Sequence, residues 1–245
     1  MSPQRTFATA ARVLRQLGHD HRTLGLLFVV PLLLMGILAW LYSATPRMFD
    51  VVGPALLAIF PFVVMFLVTS IATLRERSSG TLERLLTMPM AKLDIILGYA
   101  FSFGLLAIVQ ALLASMVAVH LYGLDIAGPQ WALMLVAVAD ALLGTMLGLF
   151  ASAFARTEFQ AIQFMPAFVL PQVLLCGLLL PVAQLPAVLE HVANVLPLTY
   201  AVDAMGRVAR ETALSGHVWG DIGVVFGFAV AAVLLGAATL RRKGK

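Results

Sequence analysis

Apolar positions run along this chain in long stretches separated by short polar punctuation. A helix rising about 1.5 Å per residue needs roughly 20 apolar residues to cross about 30 Å of hydrocarbon. Six stretches qualify: 23–42, 51–74, 95–122, 130–155, 162–182 and 222–240. All six are expected to be helices, because lipid offers an isolated segment no other partner for its backbone. Two further patterns lie between them. Residues 2–21 place Phe7, Ala11, Leu14 and Leu17 at helical spacing among Arg5, Arg12 and Arg15. They read as an amphipathic helix on the inner leaflet, with a frayed basic tail as the alternative. In 183–221, Leu185, Val188, Leu189, Val192 and Leu196 repeat with helical period until Pro197 interrupts them. A second helix follows, on which Asp203, Arg207 and Glu211 can pair at four-residue steps. That segment is too apolar for a solvated loop and too short for a core of its own.

Composition agrees with the pattern. The 245 residues are 61% hydrophobic and 11% charged, and mean hydropathy is +0.98. Soluble domains carry about 25% charged residues, so the chain is expected to be an all-α integral membrane protein. The one cysteine, Cys176, allows no disulfide within the chain and reads as a small buried hydrophobe. Sixteen basic against 12 acidic residues is too small an excess to suggest nucleic acid. The basic start runs into a stretch of full spanning length, which argues against a cleavable signal.

The placement of the charges says more than their sum. With both termini inside, the inner segments hold Arg5, Arg12, Arg15, Arg22, Arg75, Arg77, Arg84, Lys92, Arg156, Arg241, Arg242, Lys243 and Lys245. The outer segments hold Arg47, Arg207 and Arg210, so the positive-inside bias puts both ends in the cytoplasm. Tyr42, Tyr122, Trp131 and Trp219 then fall near the outer interface, where aromatic belts form.

The inner segment between the second and third stretches is short, charged and patterned. Gly80 is suited to end the inward extension of the second helix, since a left-handed terminal position costs glycine little. Residues 81–88 then form a short helix, and Pro89 stops it. Leu82, Leu85 and Leu86 share one face, with Glu83 and Arg84 flanking them. A helix of about two turns is not stable alone and needs the membrane surface or a protein groove. Both readings stand on the residues by themselves.

Here the order of residues resembles a known family. Glu76, Gly80, Thr81, Leu82, Glu83, Leu85, Leu86 and Pro89 follow an E-x-x-x-G-T-L-E-x-L-L-x-x-P pattern. This is similar to the signature of ABC-2 type permeases, the membrane subunits of ATP-driven exporters of the daunorubicin-resistance-like branch. The Pro-Leu-Thr-Tyr stretch at 197–200, ahead of the last span, fits the same family. The resemblance implies a single transmembrane domain over 1–245. Its parts are an interfacial helix at 1–22, a cytoplasmic coupling segment at 75–94, six spans, and an outer helical hairpin at 183–221. It also implies that the eight motif residues dock on a cytoplasmic ABC ATPase present in two copies. A second permease half, a homodimer rather than a heterodimer, completes the pathway in the bacterial cytoplasmic membrane. The implied cargo is a hydrophobic drug- or lipid-like molecule moved outward. No G-x-x-x-x-G-K-[ST] occurs, so ATP and Mg are expected on the partner and no cofactor on this chain.

Polar residues within the apolar stretches are the other candidates. Asp140 is the one acid well inside a span, where a charge costs about 3 kcal/mol on insertion scales. It reads either as a pathway, seam or proton-linked site, which would make the protein an ion-coupled carrier, or as a helix–helix hydrogen bond. Gln110 and Gln172 are pathway or dimer-seam candidates; with Ser115 and Thr145 they read more readily as interhelical hydrogen bonds. Pro166 and Pro171 permit a bend in the fifth span, as a gate or as static packing. Gly144, Gly148 and Ser152 form a small-residue row, at a subunit seam or in tight packing. Ser215, Gly216 and His217 fall on an expected turn and make no hydrolase by adjacency. The five histidines have no metal spacing.

Overall fold

A computed structural model describes residues 3–79 and 92–239. Among the described residues there are ten α-helices, one short 3-10 turn and no strand. They are α1 (Pro3–His19), α2 (His21–Leu41), α3 (Pro46–Ser78), α4 (Lys92–His120), α5 (Gln130–Ser152), α6 (Glu158–Phe168), α7 (Leu170–Leu175), α8 (Ala187–Ala193), α9 (Pro197–Arg210) and α10 (Gly216–Thr239). The 3-10 turn is Val182–Gln184. Among the described residues, α2, α3, α4, α5 and α10 are long and apolar enough to cross a membrane.

α3 is the axis of the bundle. Pro46 starts it, at a position where a missing N–H costs nothing. Its 33 residues span about 50 Å, which exceeds the hydrocarbon thickness and carries Arg75 and Arg77 beyond it. α5 lies against α3 at very short range. A Cβ on Gly144 would stand 2.4 Å from the Phe62 carbonyl oxygen, and one on Gly148 would stand 2.5 Å from that of Phe66. The small-residue row is therefore spent on a seam inside this chain, where dispersion contacts replace a hydrophobic driving force that lipid does not supply.

The outer helices bury one stripe each. α2 buries Leu27, Pro31 and Met35 and turns Leu26, Val29, Leu33 and Ile37 outward. α10 buries Val218, Ile222, Val225, Ala229, Ala232 and Gly236 at three- and four-residue steps. Asp20, the one residue between α1 and α2, caps α2. Its carboxylate accepts from the Thr23 backbone N–H at 3.1 Å and the Thr23 hydroxyl at 2.6 Å. Those bonds, the hydroxyl's first, hold the Asp20 carboxyl below its usual range.

The stretch 162–182 departs from expectation: it is not one helix. α6 and α7 are 11 and 6 residues long and meet at Val169, and neither is long enough to cross alone. Pro166 removes an N–H from the ladder of α6, Pro171 in the first turn of α7 disfavours a continuous helix through the residue before it, Gly177 sits at φ +97°, and Pro181 follows. The apolar count was sufficient for a span; the backbone donors were not. The last helix differs too. It begins at Gly216, so His217 lies in α10 and not on a turn. α3 ends at Ser78 with Ser79 as its cap, while Gly80 lies outside the described residues. In the hairpin, α8 turns Val188, Leu189 and Val192 outward, and Leu185 precedes the helix. α9 carries the expected pairs, Arg207 with Asp203 at 2.8 Å and with Glu211 at 3.8 Å.

Candidate functional site

Two ends of the bundle carry chemistry, and they are built differently. At the basic end, α1 presents Thr6, Thr9, Ala10, Val13 and Leu17 as a buried stripe toward α4. Gly98 on α4 gives it room, since a Cβ there would stand 2.7 Å from Thr9. The Ser102 hydroxyl lies 3.0 Å from the Ala10 carbonyl oxygen, tying the two backbones together.

Across that contact Arg12 reaches Glu76 near the end of α3. Its guanidinium donates to both carboxylate oxygens, at 3.2 and 2.9 Å, and to the Tyr99 hydroxyl on α4 at 3.0 Å. Tyr99 in turn donates to Glu76. A planar fork matched to a carboxylate is the strongest geometry such a pair adopts. Glu76 is buried, with its side chain 8% exposed, and Arg12 retains 35%. Arg12, Glu76 and Tyr99 thus join three helices at one point. Two neighbouring contacts extend the knot. Arg77 donates to the Ser152 carbonyl at the end of α5 at 2.6 Å, and Arg75 pairs with Glu158 on α6 at 2.9 Å.

Residues 80–91 connect α3 to α4, and the Glu76–Tyr99 bond clamps the two helices at that end. Of the eight motif residues, Glu76 is described, and it faces inward to Arg12 and Tyr99 rather than a surface. Gly80, Thr81, Leu82, Glu83, Leu85, Leu86 and Pro89 lie outside the described residues.

The three intramembrane candidates serve different contacts. Gln110 donates to the Leu27 carbonyl on α2 at 2.9 Å. Leu27 is the oxygen that Pro31, four residues on, cannot bond, so Gln110 repairs a gap that a proline made. The Gln172 amide nitrogen donates to Phe168, and its oxygen accepts from the Leu198 N–H in the first turn of α9. Asp140 is fully buried in α5, and among the described residues neither carboxylate oxygen has a hydrogen-bond partner. Ser115 and Thr145 differ from the expectation of interhelical bonds. Each donates to its own helix four residues back, at Ala111 and Ala141, because a helical hydroxyl finds that carbonyl without any neighbour. Cys176 is buried and donates to Val173.

The opposite end holds a cavity of about 730 Å³. The first turns of α3, the loop after α7, α8, α9 and the start of α10 enclose it. Val52, Ala55 and Leu178 give it apolar walls; Glu190, Asp203, Arg210 and Asp221 give it charge. Nearby, Trp131 and Trp219 pack with ring centroids 6.3 Å apart. Sequence reasoning paired Asp203 with Arg207 but did not bring Glu190 and Asp221 to one wall. Acids scattered among apolar residues near the outer segments were the available signal.

A family profile described as ABC-2 type transporter matches residues 4–208. "ABC transporter G family member 20" of Dictyostelium discoideum is 27% identical over 205 residues, covering 81% of this chain and 28% of that protein. "Probable multidrug ABC transporter permease YbhR" of Escherichia coli K12 is 28% identical over 171 residues, 70% of this chain and 46% of that one. "Linearmycin resistance permease protein LnrN" of Bacillus subtilis 168 is 25% identical over 181 residues, 74% and 47% of the two chains. The chain therefore spans half or less of the length of these relatives.

Proposed function

The chain belongs to the ABC-2 type transporter family, and on that premise we propose that it is the permease subunit of an ATP-driven exporter. A cytoplasmic ABC ATPase in two copies binds ATP and Mg and drives it, and a second permease half, a copy of this chain, completes the pathway. Both termini are cytoplasmic. α6 and α7 together make the sixth crossing as a broken helix, and α8 and α9 form the outer hairpin. The cargo is a hydrophobic drug- or lipid-like molecule, a reading that the names of the multidrug and linearmycin-resistance relatives support.

The observation that carries this reading is the Arg12–Glu76–Tyr99 junction. It fixes α1, α3 and α4 to one another through Glu76, four residues before Gly80 in the chain, and Tyr99, eight residues after 91. A push on residues 80–91 from an ATPase is then delivered to three helices together. The ATPase must bind two permease states unequally, or no work is transferred.

Capture of the tagged chain from its native membrane in mild detergent tests this, beside a Gly80→Pro, Glu83→Lys double variant. A soluble ATPase retained by the parent chain and lost from the variant is the expected result. A parent chain that keeps its oligomer yet retains no ATPase would overturn the proposal. One observation favours a second reading, an ion-coupled carrier: Asp140 is buried without a hydrogen-bond partner among the described residues. Export that follows an imposed proton gradient without ATP, and that Asp140→Asn abolishes, would establish that reading instead.

A further inference from the structure

The cavity at the hairpin end has a charge pattern that its own contacts do not satisfy. Asp203 is taken by Arg207 at 2.8 Å. Glu190, Asp221 and Arg210 also line the cavity, and among the described residues none of the three forms an ion pair. Glu190, Asp203 and Asp221 therefore stand against the guanidiniums of Arg207 and Arg210, with Arg207 and His217 acting on Asp221 from a distance, so the cavity keeps an excess of negative charge. The Asp221 Oδ2 is shut away from solvent with no hydrogen-bond partner among the described residues. Thr199, 6% exposed, lines the same space with its hydroxyl likewise unpartnered. A buried polar atom left unsatisfied costs free energy that an occupant offering a donor or a charge recovers.

We propose that this cavity is a binding site for a monovalent cationic amphiphile. The cation is drawn to Asp221 and Glu190, Thr199 contributes its hydroxyl, and the apolar body lies against Val52, Ala55 and Leu178. The volume of about 730 Å³ is that of a pocket for a drug-sized ligand. Polar groups few in number on an apolar wall give orientation and sign selectivity, while the wall supplies area. The Tyr200 side chain also lines the cavity, held by its hydroxyl, which donates to the Asn194 carbonyl at 2.6 Å. The role of the site, receiving cargo at the outer end, rests on the export reading; the binding itself does not.

Equilibrium dialysis of the purified full chain in detergent tests the site with two probes of matched size and opposite charge, tetraphenylphosphonium and tetraphenylborate. Saturable binding of the phosphonium and none of the borate is expected. Asp221→Asn is expected to weaken the phosphonium about tenfold, the loss of one charge-assisted contact, and Glu190→Gln to weaken it less. Arg210→Gln, which leaves both carboxylates in place, strengthens it and so guards against a variant that merely misfolds. Equal binding of the two ions, or unchanged phosphonium affinity in all three variants, overturns the proposal. Phosphonium binding without ATPase capture sinks the exporter and leaves the site; ATPase capture without sign-selective binding does the reverse.

Discussion

The two ends of the bundle use their charges in opposite ways. At the α1 end, Arg12, Glu76 and Tyr99 bond one another, with the Arg12 Nε alone of the guanidinium nitrogens left without a partner among the described residues, and Arg77 finds a helix-end carbonyl. At the hairpin end, Glu190, Asp221 and Arg210 line a cavity and pair with nothing among the described residues. The first arrangement resists relative motion of its helices; the second leaves field and volume for a guest. Between them runs the α3–α5 seam, where glycines let two backbones touch. Bonded charges at one end and an open cavity at the other are thus joined by one tight seam.

The largest expected effect breaks the paired end. Arg12→Ala leaves Glu76 buried without its cation, and removing one partner of a buried pair costs about 3–5 kcal/mol. Glu76→Ala costs less, because the Arg12 side chain already reaches solvent and turns out to it. Thermal melts of the detergent-purified variants measure the order. Glu190→Gln at the other end is expected within about 0.5 kcal/mol of the parent, as for a surface site without partners. Equal losses at the two ends would erase the distinction between them.

Next in size is the seam. Gly148→Ala puts a methyl within 2.5 Å of a carbonyl oxygen, and overpacking of this kind costs about 1–3 kcal/mol. Gly220→Ala in α10, where a Cβ meets nothing within 4 Å, is the matched control and is expected to be neutral or slightly stabilising. A melt that falls for Gly148→Ala and holds for Gly220→Ala sharpens the role of α3–α5 as the link between the ends.

The smallest effect concerns the α1–α2 corner. Asp20→Ala removes the cap of α2 and costs about 1 kcal/mol. The folded carboxyl titrates below its ordinary value of 3.8, so its contribution is complete above that value and lost as pH falls through the lower folded one. Parent and Asp20→Ala melts are therefore expected to converge in strong acid and to differ by a constant amount from pH 5 upward. Convergence near neutral pH would assign the effect to another group.

Much of the fold could be read along the chain, since burial repeats within each helix are local. The helix at the start of the chain, the bend at Pro197 and the pairs around Arg207 follow from spacing, but the buried face of α1 does not: Phe7 of the expected apolar stripe is 61% exposed, and Thr6, Thr9, Ala10 and Val13 join Leu17 inside because α4 packs on that side. The break in 162–182 was only half legible. Pro166 and Pro171 announced a bend, but apolar content concealed that the helix would stop. Gln110 was legible as a hydrogen bond, and its purpose was not, because the need arises at Pro31 on another helix. Glu76 was read as a docking residue from its motif, and packing turned it inward.

The sequence alone determined that the chain is helical and apolar enough for a membrane, and that one patterned segment, 75–89, interrupts it. Those properties depend on neighbours a few residues apart. Tertiary structure decided what each polar group answers to: Arg12 finds Glu76 64 residues away and Tyr99 87 away. It also decided where a cavity forms, since the acids of α8 and α10 line one space only after α9 has packed against α3, α5 and α10. A charge in an apolar chain has few partners within reach along the helix, so its fate is fixed by which helices meet.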